Sequence, residues 1–137
     1  CALGISQLKK LDNFILSRRK IAKIYLKELK NDERFILPKE KENYFHSYHL
    51  FPLQINFNKL KISKNELFSK FKKKGINLQV HYIPVHLQPF YKKRFGFKKN
   101  QFKNAENFYK KEVSLPIYPS LKKKEIYKVI NELLSLR

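Results

Sequence analysis

Ser63-Lys64-Asn65-Glu66-Leu67-Phe68-Ser69-Lys70-Phe71-Lys72-Lys73-Lys74-Gly75-Ile76-Asn77-Leu78-Gln79-Val80-His81-Tyr82 is the stretch on which the fold turns. Ser63 and Glu66 stand three apart, the spacing of a capping box. The Ser63 hydroxyl accepts from the Glu66 amide, and the Glu66 carboxylate reaches back to the Ser63 amide. Leu67, Phe68 and Phe71 then share one face of a helix. Gly75 sits where a left-handed residue ends a helix at least cost. Beyond it, Ile76, Leu78, Val80 and Tyr82 alternate with Asn77, Gln79 and His81, which predicts a strand over residues 76–82.

Upstream of this helix–glycine–strand unit, residues 48–57 predict another strand, with Leu50, Leu53, Ile55 and Phe57 as its apolar members. Pro52 suggests that this strand is at a sheet edge or carries a bulge. Residues 31–44, charged and broken by Pro38, read as a loop. Residues 2–30 read as one long amphipathic helix, with Leu3, Leu8, Leu11, Ile15, Ala22, Leu26 and Leu29 as its stripe. Downstream, Pro84 and Pro89 predict an irregular stretch to Phe97. A short helix over residues 104–111 and a short strand over residues 113–117 follow. A last helix begins at Ser120, its buried stripe being Ile126, Val129, Ile130, Leu133 and Leu134. Few, short strands among helices predict an α+β layer: a small, mainly antiparallel sheet with helices on one face.

The charge needs its own explanation. The formal net charge is +20, and 26 of the 31 basic residues are lysine. A reader of phosphates or bases would favour arginine, whose planar fork binds both in bidentate fashion. Lysine spread from Lys9 to Lys128 reads instead as a solvated surface, and an RNA-binding module is the weaker reading. The single Cys1 rules out an internal disulfide. No apolar run approaches the ~20 residues of a membrane span, and a cytoplasmic setting is expected. The chain holds no methionine, even at position 1, which reads as part of a longer protein.

Four histidines, His46, His49, His81 and His86, are the residues most able to bind or move a proton. As a zinc set they are poorly spaced. His46 and His49 fall on opposite sides of a strand entry, Pro84 separates the other two, and no cysteine lies near. No metal site is expected. No glycine-rich phosphate loop exists, the glycines being Gly4, Gly75 and Gly96.

Three segments resemble the C-terminal region of the DegT/StrS sugar aminotransferases. Cys1-Ala2-Leu3-Gly4-Ile5-Ser6-Gln7-Leu8, with Leu11-Asp12 and Arg18-Arg19, is similar to the family helix that reads ALG..QL..LD.....RR..IA..Y. Ser47-Tyr48-His49-Leu50-Phe51 resembles its S.YHL strand entry. The most specific piece is Gly75-Ile76 with Gln79-Val80-His81-Tyr82-Ile83-Pro84-Val85-His86-Leu87-Gln88-Pro89-Phe90-Tyr91, and its continuation Asn104-Ala105-Glu106 and Ser114-Leu115-Pro116-Ile117-Tyr118-Pro119 is similar too.

The resemblance implies the small C-terminal domain of a fold type I transferase dependent on pyridoxal 5'-phosphate. Residues 1–30 would link it to a large cofactor domain, and residues 31–137 would form the small domain itself. It further implies amino transfer from glutamate to a UDP-linked 4-keto-6-deoxy-N-acetylhexosamine, a step towards pseudaminic acid, in an enzyme that is usually a homodimer. The family's Schiff-base lysine, pyridine-binding aspartate and phosphate donors have no match here. The expectation is therefore no catalytic or cofactor-binding residue in this chain and no activity from it alone. Substrate contacts are expected from His81, Tyr82 and His86, in the proline-braced segment after the strand. A regulatory or relic domain is the non-enzyme alternative.

Overall fold

A computed structural model describes residues 1–136. Its elements are α1 (Ala2–Leu8), α2 (Leu11–Leu29), β1 (Phe35–Ile36), β2 (Phe51–Ile55), α3 (Phe57–Leu60), α4 (Lys64–Lys73), a 3-10 turn (Val85–Leu87), α5 (Pro89–Phe95), α6 (Lys103–Lys111), β3 (Glu112–Leu115) and α7 (Lys123–Leu134). The three strands form one antiparallel sheet in the order β1-β2-β3.

The helix–glycine junction forms as the local chemistry dictates. Ser63 Oγ accepts from the Glu66 amide at 3.2 Å, and Glu66 Oε2 accepts from the Ser63 amide at 2.7 Å. At the other end Gly75 takes φ +71°, the Ile76 amide donates to Phe71 O, and the Gly75 amide donates to Lys72 O. These are the two bonds of a Schellman motif, which satisfy carbonyls the helix would otherwise leave open.

The strand expected over residues 76–82 shrinks to one bridge, Gln79 with Ser114. Both backbone bonds of that bridge form, at 3.2 and 2.8 Å. Two residues on, the ladder has no partner to continue with. The Glu112 amide is already spent on Phe108 O at the end of α6, and the His81 amide donates to the Glu112 side chain instead. The peptide between His81 and Tyr82 is cis.

Pro52 is in the central strand, not an edge strand. Ser114 turns its amide and carbonyl to Gln79, so its pairing with Pro52 needs no proline N–H. On the other flank β1 reaches only Ile55 and Gln54 and stops short of Pro52. The 31–44 loop thus hides β1, and Phe57 opens α3 rather than ending β2.

Two more expectations change. Residues 84–97 are not irregular: Pro89 starts α5, where its missing N–H costs nothing, and Gly96 ends it at φ +68°. The first helix is two, because the Lys10 amide turns back to Gln7 O and ψ of Lys10 opens to −7°. Nothing buried holds that junction, since α1 has no buried residue.

The core lies where α2 and α7 pack together over the sheet. Ile21, Ala22, Tyr25 and Leu29 enter it from α2, and Ile126, Val129, Ile130 and Leu133 from α7, while Leu134 turns outward. Tyr25 packs on Phe51 with ring centroids 5.0 Å apart and donates its hydroxyl to Pro116 O at 2.9 Å. Burial holds that phenol well above the ordinary tyrosine range. The helices cover the face bearing Phe51, Leu53 and Val113. The opposite face is not bare, for Glu112 and Ser114 are buried there too. A clamp of Arg19 Nη1 and Nη2 on Glu40, at 2.6 and 3.2 Å, ties the loop before β2 to α2. Among the described residues no helix is long and apolar enough to cross a membrane.

A candidate substrate-facing cleft

Between the bridge at Gln79, the end of β3 and the start of α7 lies an open cleft of about 360 Å³. The Gly75 turn forms one wall, and Pro116, Ile117 and Tyr118 form another. Glu125 and Lys128 of α7 supply charge, and His49 and His81 are among its polar lining residues.

The three expected site residues do not stay together. His81 reaches the cleft, half-buried, with Nδ1 2.8 Å from Ser114 Oγ. Ser114 Oγ in turn donates to Glu112 Oε1 at 2.5 Å, and Glu112 Oε2 takes the His81 amide at 3.1 Å. Tyr82 is 72% exposed, its ring edge-on to His81 at 4.7 Å. His86 departs from the expectation. It is 6% exposed, and Nε2 lies 3.0 Å from Glu106 Oε1, with Phe102 packed against the ring at 4.7 Å. The 3-10 turn carries it inward, so it braces residues 84–102 and does not line this cleft.

Burial alone would push the Glu106 carboxyl up. The His86 bond and the amides of Asn100 and Phe102 outweigh that and leave it below the ordinary carboxylate range. A carboxylate acceptor makes His86 Nε2 the donor, so its ring carries the proton on that atom.

Sequence reasoning passed over Glu106, Glu112 and Ser114. The signal for the last two was present: in Glu112-Val113-Ser114-Leu115, positions two apart share a face, so a carboxylate and a hydroxyl meet in a strand that is otherwise apolar. A buried carboxylate must find donors, and His81 and Ser114 supply them. Lys64, held by Tyr109 O at 2.8 Å, adds charge nearby; burial lowers its ammonium and Glu112 partly offsets this.

For a lysine that would hold pyridoxal phosphate, the cleft offers Lys128, which is exposed. Every lysine but Lys64 is exposed, and Lys64 is tied to a backbone carbonyl outside the cleft. No group of three histidine, cysteine, aspartate or glutamate side chains that could hold a metal occurs among the described residues.

Comparison with known proteins gives this geometry a setting. Residues 1–134 match the DegT/DnrJ/EryC1/StrS aminotransferase family. The chain is 41% identical over 136 residues to the UDP-4-amino-4,6-dideoxy-N-acetyl-beta-L-altrosamine transaminase of Campylobacter jejuni, covering 99% of this chain and 35% of that protein. Among solved structures it resembles Helicobacter pylori PseC, an aminotransferase involved in the biosynthesis of pseudoaminic acid, with TM-score 0.88 and 29% identity over 98% of this chain and 36% of that one. It also resembles S. venezuelae DesV in complex with a ketimine intermediate, with TM-score 0.85 and 28% identity over 96% of this chain and 34% of that one. The chain spans about a third of the length of the relatives it matches.

Proposed function

Because this chain belongs to the DegT/DnrJ/EryC1/StrS aminotransferase family, we propose that it is the substrate-facing C-terminal part of a sugar aminotransferase. The reaction is amino transfer from glutamate to a UDP-linked 4-keto-6-deoxy-N-acetylhexosamine. The observation that carries this reading is the pairing of a family match over residues 1–134 with a cleft that His81 helps line. Pyridoxal phosphate, which serves as the electron sink in such enzymes, finds no home among these side chains. Its lysine is supplied by protein outside this chain, and the chain alone does not transaminate.

The chain's own contribution is binding and orientation. His81 and Tyr82 meet the nucleotide sugar, while His86 acts indirectly by pinning the segment that follows them. Leu3, 75% exposed, and Leu8, 68% exposed, support a link from α1 and the first turns of α2 to a large cofactor domain, within a homodimer. The second half of α2 belongs to the core of the small domain. The setting is cytoplasmic.

The test uses the longer enzyme that carries this chain. His81→Ala should lower kcat/KM for the nucleotide sugar roughly ten- to a hundredfold, the worth of one lost hydrogen bond to a polar ligand. The glutamate half-reaction and the cofactor spectrum should hold. Equal loss in both half-reactions, or loss in neither, would make His81 structural and sink the assignment.

A further inference from the structure

We infer that Glu112 and Ser114 are positioning residues that hold His81 in one tautomer, with its proton on Nδ1 and a bare Nε2 turned to the cleft. With Glu112 as the carboxylate and Ser114 Oγ its donor, the bonding permits only this order. Both oxygens of the buried Glu112 carboxylate are acceptors, one taken by the His81 amide and the other by Ser114 Oγ–H at 2.5 Å. The Ser114 hydroxyl has a single proton to give. With that proton committed to Glu112, Oγ meets His81 Nδ1 at 2.8 Å only as an acceptor, so Nδ1 must be the donor. The backbone donor at His81 cannot be reversed, which fixes Glu112 Oε2 as an acceptor. Nε2 has no hydrogen-bond partner among the described residues, and His81 is one of the residues lining the cleft.

The consequence is specificity. A neutral ring with a bare Nε2 accepts hydrogen bonds and repels phosphate oxygens. The ligand atom opposite His81 is therefore a donor, a sugar hydroxyl or an amine, rather than the diphosphate. This last step rests on the proposed function above; the tautomer does not. His86 carries its proton on the other nitrogen, because Nε2 donates to Glu106. The molecule thus contains its own reference for the opposite state.

The test is long-range proton–nitrogen NMR on protein labelled with 15N-histidine, at a pH where the rings are neutral. His81 should report a protonated Nδ1 and a bare Nε2, and His86 the reverse. Glu112→Gln makes a sharper demand. The amide oxygen must serve the His81 N–H, so the amide nitrogen faces Ser114, whose proton then passes to His81 Nδ1, and the tautomer flips to Nε2–H. Ser114→Ala should release the ring to populate both forms. A wild-type His81 protonated on Nε2, or averaging between the nitrogens, overturns the inference whether or not the variants fold. In the longer enzyme, Glu112→Gln should lower kcat/KM for the nucleotide sugar about tenfold and spare the glutamate half-reaction. A tautomer that flips while sugar use stays constant leaves the lock standing and removes His81 from the substrate.

Discussion

In the sheet, Phe51, Leu53, Ile55 and Val113 are wholly buried and held in the ladders that join β2 to β1 and β3. Residues 84–102 are built otherwise. Phe90 and Phe95 stand largely in solvent, and the buried polar anchor is His86 with Glu106. Apolar area removed from water stabilises the first region without regard to direction. The second depends on two polar groups finding each other, an arrangement that is worth little when met in part. One region resists perturbation as a block, while the other should yield at a point.

The strongest way to break that contrast is at Leu53. Leu53→Ala opens a cavity where the neighbours cannot collapse, and such changes cost about 2–5 kcal/mol. Urea unfolding should shift as a single transition for every probe, in the sheet and in residues 84–102 alike. A shift confined to one region, or below about 1 kcal/mol, would mean that the sheet does not hold the molecule together.

Next comes the pair itself. His86→Ala should raise amide exchange across residues 84–102 by an order of magnitude or more while the urea midpoint moves far less than for Leu53→Ala. Acid should mimic the variant. The Glu106 carboxyl is held below its ordinary value, so its stabilisation is complete above about pH 4.3, the unfolded glutamate value. It is lost as pH falls through the lower folded value. Glu40, held low chiefly by its Arg19 bond, weakens in the same window. Exchange data in which residues 84–102 stay as closed as the sheet at low pH would erase the distinction.

How much of this could be read in advance follows from the distance between partners. Ser63 and Glu66, and Phe71 with Ile76, meet within one or two helical turns, so their motifs stand in the sequence as written. Gln79 and Ser114 do not: a strand that bridges one residue and then gives its next amide to a side chain has the same alternation as a full strand. His81 and His86 looked alike, five positions apart in one resembling segment. Their fates were set by Ser114 and by Glu106, the latter 20 positions from His86. The family resemblance located the segment and could not say which ring turned inward. The break at Lys10 also escaped notice, because no glycine or proline marks it.

The smallest effect sharpens the comparison from the local side. Ser63→Ala removes the acceptor at the start of α4 and should cost about 1 kcal/mol, with Ser63→Asp recovering most of it. Thermal unfolding can resolve that difference. No recovery with aspartate would mean that the cap contributes by shape rather than by its hydrogen bond.

Pro52 carries a consequence for how copies of this protein meet. Its neighbours Phe51 and Leu53 aim their amides at β3, so along the flank that β1 leaves open the next donor in line would be that of residue 52. Proline has none. A strand arriving from another molecule would find a carbonyl there but no N–H, and could not zip along the sheet. Proline in a strand is one of the devices by which natural sheets blunt pairing with another chain.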